Sequence, residues 1–249
     1  MIKIEKEEVF GWEAAIRGMR NPMNSWGKTD SYPAVDCDKC GILAHKGICN
    51  PREHDCSPFR CYEIGKNDLK LMRNLVKAGP DHGKFLRMIN VTCDITAPLY
   101  WWKEFDTYKV GTVANSCSTM HKIHAKEFTL DDFSYEHLFD DEIHSIIDLD
   151  NCGAEISWDT SAYDVLLHII SVLNFYRNEF LETKDKKYWW QMIQLLPTSY
   201  NQKRTVQLNY QILLNMYNSR KDHKLDEWKN FCSWIEQLPY FKDICIREE

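Results

Sequence analysis

The sequence predicts an α+β chain, rich in helix with a small antiparallel sheet. Three observations carry that expectation. Apolar residues recur at helical spacing through several long segments beyond residue 66. Strand-like alternation is confined to short runs, and prolines such as Pro22, Pro197 and Pro239 fall between the segments rather than inside them.

Taken in order, residues 2–9 alternate as a strand and residues 12–19 follow as a helix, broken at Asn21-Pro22-Met23-Asn24. Residues 31–62 hold Cys37, Cys40, Cys49, Cys56 and Cys61 with little apolar periodicity, and read as a Cys-rich insert within a single domain of residues 1–249. Asn67 is placed to cap a helix over 68–78, with Leu69, Met72, Leu75 and Val76 on one face and Gly79 ending it. Residues 86–96 alternate as a strand that puts Ile89, Val91, Cys93 and Ile95 on one side. Pro98 suits the first turn of a helix over 99–108. Thr129-Leu130-Asp131-Asp132 reads as a helix start, and residues 157–160 lead into a long helix over 162–181. Helices over 188–195, 200–219 and 225–237 complete the chain, punctuated by Pro197 and Pro239.

With 249 residues the chain is long enough to bury a substantial core. Its net charge is −6, with no basic block longer than Lys186-Lys187, which argues against binding a nucleic-acid backbone and leaves free nucleotides as ligands. The start, MIKIEKEEVFGW, is charged rather than apolar, and no apolar run approaches the ~20 residues that span a bilayer. A cytoplasmic protein without a membrane partner is expected, its ten cysteines being thiols or metal ligands.

Three groups of residues carry chemistry. The first lies in residues 97–121, where Glu104, Tyr108, Lys109, Asn115, Ser116 and Ser118 fall at or just after a helix end, an arrangement suited to phosphate or a planar ring. The plainer alternative is a buried helix, with Trp101, Trp102, Phe105 and Tyr108 as core, followed by a polar turn. The second is Asn209, Gln211, Asn215 and Arg220, polar positions on an otherwise apolar helix; a solvated face is the usual explanation. The third is Cys37-x-x-Cys40, a spacing that suits tetrahedral zinc, with Cys49 and Cys56 to complete the set and Cys61, His45 and His54 as further candidates. His124, His137, His144 and His168 form no metal-binding spacing, and no glycine-rich phosphate loop is present.

The first two groups resemble the signature of the flavin-dependent thymidylate synthases. That family carries Arg-Gln-Trp, one residue, Arg-His-Arg, then Asn-Glu, one residue, Ser, one residue, Arg-Tyr. Laid on this chain without a gap, Lys103-Glu104-Phe105 takes the first triplet and Thr107-Tyr108-Lys109 the second. Asn115-Ser116, Ser118 and Met120-His121 take the rest, so Thr107, Ser116 and Met120 stand where the family has Arg, Glu and Arg. Leu196-Pro197, Tyr200, Asn209, Asn215, Arg220 and Asp226-Glu227-Trp228 resemble its closing segment, with Gln211 in place of an Arg, and Gly79-Pro80-Asp81-His82 through Arg87 resembles an earlier one more loosely. The likeness runs over about residues 66–230.

The resemblance implies the family's fold and the reductive methylation of dUMP to dTMP, with FAD as cofactor and NADPH and methylenetetrahydrofolate as co-substrates. It implies cofactor binding at Thr107, Tyr108, Lys109, Asn209, Gln211 and Asn215. Substrate binding falls at Glu104, Ser116, Ser118 and Arg220, with Arg220 also the catalytic residue that polarises the pyrimidine. A homotetramer follows on the same ground. Two other classes stay open: a catalytically diverged nucleotide-binding protein of the same fold, and an interaction module held by zinc in the insert.

Overall fold

The computed structural model describes residues 1–35, 60–148 and 155–246. In chain order its elements are β1 (Lys3–Phe10), α1 (Trp12–Arg20), β2 (Tyr32–Val35), β3 (Arg60–Glu63), α2 (Lys66–Lys77), β4 (Asn90–Pro98) and α3 (Leu99–Phe105). There follow β5 (Val113–Ser116), β6 (Ile143–Asp148), β7 (Glu155–Thr160), α4 (Ala162–Thr183), α5 (Lys186–Leu195), β8 (Asn201–Asn209), α6 (Tyr210–Arg220), α7 (Asp226–Gln237) and α8 (Phe241–Cys245). A four-stranded sheet has the order β1-β4-β8-β5, and β2-β3 and β6-β7 form two-stranded antiparallel sheets. The α+β expectation, helix-rich with small sheets, is met. No helix among the described residues is long and apolar enough to cross a membrane.

The chain divides into two compact units, one of Met1–Glu7, Cys93–Val206 and His223–Asn230, the other of Glu8–Thr92, Gln207–Asp222 and Phe231–Glu249. The first unit holds β5 and the greater part of β1, β4 and β8. Ile95 and Ala97 on β4 and Val206 on β8 are buried, so each strand turns one face to the core. On α3, Trp101, Trp102 and Phe105 pack ring to ring with centroids 4.9–5.1 Å apart. Aromatic payload of this size anchors a helix of only seven residues through its buried face. A second cluster, Ile123, Phe128, Phe133, Leu166, Leu173 and Met192, joins α4 and α5 to the segment that follows β5. Ser161, whose hydroxyl accepts from the Asp164 N–H at 2.9 Å, caps α4.

In the second unit, Trp12, Tyr210 and Phe241 stack edge to face at 5.5 and 5.2 Å. Burial holds the Tyr210 hydroxyl protonated far above the usual phenol range, and it donates to the Pro239 carbonyl at 2.7 Å. Gly11, at φ +96°, begins α1 where a Cβ would stand 2.0 Å from the Met88 carbonyl oxygen, so no other residue fits. Arg20 and Asp68 form a buried ion pair: the Asp68 carboxylate takes the Arg20 Nε at 2.7 Å, the Thr29 and Ser31 hydroxyls at 2.7 Å, and the Asp30 N–H at 3.0 Å. Burial works against its ionisation, but these donors outweigh it and keep the carboxyl below its ordinary range.

Two expectations are corrected. Asn67 does not cap α2; its N-cap is Gly65, and the first-turn N–H groups of Asn67 and Asp68 donate at 2.9 and 3.0 Å to the carboxylate of Asp30, from a distant loop. The helix expected over 200–219 is strand β8 followed by helix α6, because Gln202, Val206 and Leu208 are buried at every second or fourth position, the period of a strand. The expected insert begins and ends near the β2-β3 hairpin, whose register runs from Tyr32 opposite Glu63 to Val35 opposite Arg60. Cys37, Cys40, Cys49, Cys56, His45 and His54 lie outside the described residues.

Candidate functional site

In the first unit the end of α3 meets the start of α7. Glu104, half-buried on α3, accepts from the Trp228 indole N–H at Oε2, 2.8 Å away. His223 Nε2 lies 3.4 Å from the same oxygen. The Leu225 N–H donates to His223 Nδ1 at 3.2 Å, which leaves the ring proton of the neutral imidazole on Nε2, facing Glu104. The Tyr108 ring stands edge-on to Trp228 at 6.1 Å, and His223 edge-on at 6.3 Å. One turn from Glu104, Tyr100 donates to Glu227, buried beside Trp228 in α7. Burial first, and then the Glu227 carboxylate, raise the Tyr100 hydroxyl well above its ordinary range.

Beyond α3 the chain is held by a residue that the sequence did not single out. Arg204 on β8 lies 4.2 Å above the Trp102 ring, and its Nη1 bonds Asp106 at 2.7 Å. Its Nε donates to the Gln202 amide oxygen at 2.9 Å, and the Gln202 amide nitrogen donates to the Cys117 carbonyl at 2.8 Å. One guanidinium thus ties both ends of residues 106–117. Ser116 sits on β5, a strand exposed along its length, rather than just past a helix end.

Ser118 lines a recess of about 250 Å³. Ile123, Phe128 and Tyr200 form its apolar floor, and Cys117, Lys122 and Lys126 complete its wall. The Ser118 oxygen accepts from the His121 N–H at 2.9 Å, leaving its own O–H to donate. Lys126 is paired with Asp132, a buried carboxylate that also closes a capping box with Thr129. Burial foremost raises the Tyr200 hydroxyl above its usual range, with Asp132 and Cys117 adding to it. Met120 lies outside the recess, its carbonyl bound by the Trp189 indole at 3.0 Å.

In the second unit, Asn209 is not on a helix face: it ends β8 and caps α6, its amide oxygen accepting from the Ile212 N–H at 3.1 Å. Gln211 and Asn215 bond to each other at 3.2 Å on the surface of α6, and Arg220 is the last residue of that helix. The first unit thus brings Glu104, Tyr108, His223 and Trp228 together, and Ser118 lines a separate recess. Among the described residues no group of three His, Cys, Asp or Glu side chains is arranged to hold a metal.

Solved structures match this arrangement of elements along its full length. A thymidylate synthase X (ThyX) from Helicobacter pylori, solved with FAD and dUMP, superposes with a TM-score of 0.60 over 100% of both chains at 13% identity. The chain has the fold of the flavin-dependent thymidylate synthases. A second H. pylori ThyX complex with FAD and dUMP gives a TM-score of 0.58 at 13% identity over 98% of this chain and 100% of the other. A UMP/dUMP methylase, PolB, from Streptomyces cacaoi, bound with 5-Br dUMP, gives 0.52 at 13% identity over 95% and 88%. The sequence matches no protein-family model and no curated protein.

Two features of this region are not legible in the sequence, for different reasons. Lys122 and Lys126 were in plain view just beyond the aligned motif, but only the backbone turn after Ser118 brings them to one recess. Arg204 lay within a segment read as helix, where its pairing with Asp106, 98 residues earlier, had no signal.

Proposed function

We propose that this protein binds a uracil nucleotide monophosphate, with the recess beside Ser118 receiving the phosphate. The observation that carries the reading is that recess: a retained serine hydroxyl with a free proton, two lysines and an apolar floor, within a fold whose matched structures are solved with dUMP or a bromo-dUMP. A recess of this size suits part of a small ligand, with polar groups fixing its orientation.

Of the positions that the resemblance carries over for FAD, four are engaged within the chain itself. The Thr107 hydroxyl donates to the Glu104 carbonyl at 2.7 Å, where a pyrophosphate would call for a guanidinium. Asn209 caps its helix, and Gln211 and Asn215 bond to each other. Thr107, Asn209, Gln211 and Asn215 thus serve their own chain, which counts against a flavin cradle built from them. The protein is therefore read as a diverged nucleotide-binding member of this fold.

A second reading is favoured by the full-length match to enzymes solved with FAD and dUMP: flavin-dependent reductive methylation of dUMP, with NADPH and methylenetetrahydrofolate, in a homotetramer. Absorbance between 400 and 500 nm after loading with FAD and desalting separates the two. Colourless protein that still binds dUMP by calorimetry is the expected result; retained flavin together with dUMP-dependent methyl transfer would establish the second reading instead.

A further inference from the structure

The arginine that the family carries in its serine motif is Met120 here, a residue outside the recess with a side chain 45% exposed. Met120 offers no positive charge, so any cation that meets a phosphate in this recess comes from its lysines. Within the recess there are two, Lys122 and Lys126. They are not equivalent, because Lys126 is already neutralised by Asp132. Lys122 has no carboxylate within ion-pair distance among the described residues, and it stands on the same wall as the Ser118 hydroxyl.

We propose that Lys122, with the Ser118 hydroxyl, recognises the ligand's phosphate, and that this pair replaces the missing arginine. The assignment rests on the nucleotide reading above. It has a chemical consequence. An ammonium meets phosphate as a point charge, whereas a guanidinium makes a two-toothed, directional fork. Recognition here therefore follows the charge of the ligand more than the orientation of its phosphate, and a nucleoside without phosphate is discriminated against mainly by loss of that charge. Asp132, by holding Lys126, keeps the recess at one uncompensated positive charge, which suits a monophosphate.

Cys117 provides a local reporter, because its exposed thiol lines the same recess. The test uses the full-length protein, with dUMP and deoxyuridine affinities measured by calorimetry for wild type, Lys122→Ala and Lys122→Arg. Alkylation of Cys117 is followed by peptide mass spectrometry, with and without dUMP or inorganic phosphate. Lys122 is exposed, so its truncation leaves the core intact. The expected result is a loss of about tenfold or more in dUMP affinity for Lys122→Ala, unchanged deoxyuridine affinity, and recovery in Lys122→Arg. Cys117 should be protected by dUMP in wild type and not in Lys122→Ala. Tight dUMP binding that ignores Lys122→Ala overturns this assignment and leaves the nucleotide reading standing. If wild type binds no uracil nucleotide, that reading falls; Lys122-dependent protection of Cys117 by inorganic phosphate then still supports the assignment, and its absence overturns it.

Discussion

Trp228 donates its indole N–H to Glu104 across 124 residues of sequence, at 2.8 Å. The donor is fully buried and the acceptor half-buried, so the bond is made where water competes poorly for either group. His223 adds a second ring nitrogen at 3.4 Å, its proton directed by the Leu225 N–H on the far side of the imidazole. The start of α7 is thereby keyed to the end of α3 by hydrogen bonding as well as by the Trp101–Trp228 ring contact at 4.9 Å.

Replacing Trp228 with Phe removes the donor and part of a buried ring. Loss of a bond to a carboxylate together with a small cavity should destabilise by about 2–4 kcal/mol. Glu104→Gln keeps an acceptor oxygen and should cost about 1 kcal/mol. Denaturant unfolding of both single variants and the double variant should give a coupling of about 1 kcal/mol. Strict additivity would show that the hydrogen bond contributes nothing.

Arg204 should not be replaceable by lysine. Lysine keeps the charge toward Asp106 but loses the planar stack on Trp102 and the directed bond to Gln202. The guanidinium link between the two ends of residues 106–117 is then broken, while the Gln202 amide still donates to the Cys117 carbonyl. Amide hydrogen exchange there is expected to speed up about tenfold in Arg204→Lys, while the α4–α5 hairpin keeps its protection. Unchanged exchange in residues 106–117 would refute the tie.

The Arg20–Asp68 pair sets an acid limit for the second unit. The folded-state pKa of Asp68 lies below that of the unfolded chain, so its stabilisation is fully present above the unfolded value of about 3.9. It is lost as the pH falls through the lower folded value. Asp68→Asn leaves Arg20 buried and uncompensated, and should cost about 3–5 kcal/mol near neutral pH. Urea unfolding between pH 7 and pH 3 should show the difference between wild type and variant narrowing toward the acid end. A gap independent of pH would exclude the carboxylate charge as its source.

Much of the fold could be read from short-range pattern. The alternation of Ile89, Val91, Cys93 and Ile95 identified a strand, and all four side chains are buried. Thr129-Leu130-Asp131-Asp132 reads as a helix start, and the structure forms one 3-10 turn there, Leu130–Asp132, closed by a capping box with Thr129. Residues 201–209 were misread because Gln, Lys, Arg and Leu favour helix in isolation, and only pairing in the sheet order β4-β8-β5 overrides that preference.

The aligned motif pointed to Glu104, Tyr108 and Ser118, and the structure puts the first two beside Trp228 and the third at the recess. It did not show that Asn209 caps a helix, since a cap depends on where the preceding strand stops.

The sequence by itself determined the elements whose signals lie within a turn or two of chain: the buried strand β4, the aromatic helix α3, the long helix α4 and their punctuation by proline. Spacing along one chain also placed the signature residues in order. Only the tertiary structure decided which side chains share a charge or a proton. Asp30 caps α2, Asp132 neutralises Lys126, Arg204 holds Asp106 and Trp228 holds Glu104. The physical reason is range. Helix and strand propensities act over a few residues, whereas hydrogen bonds and ion pairs act over a few ångströms, and folding alone brings such residues within that distance.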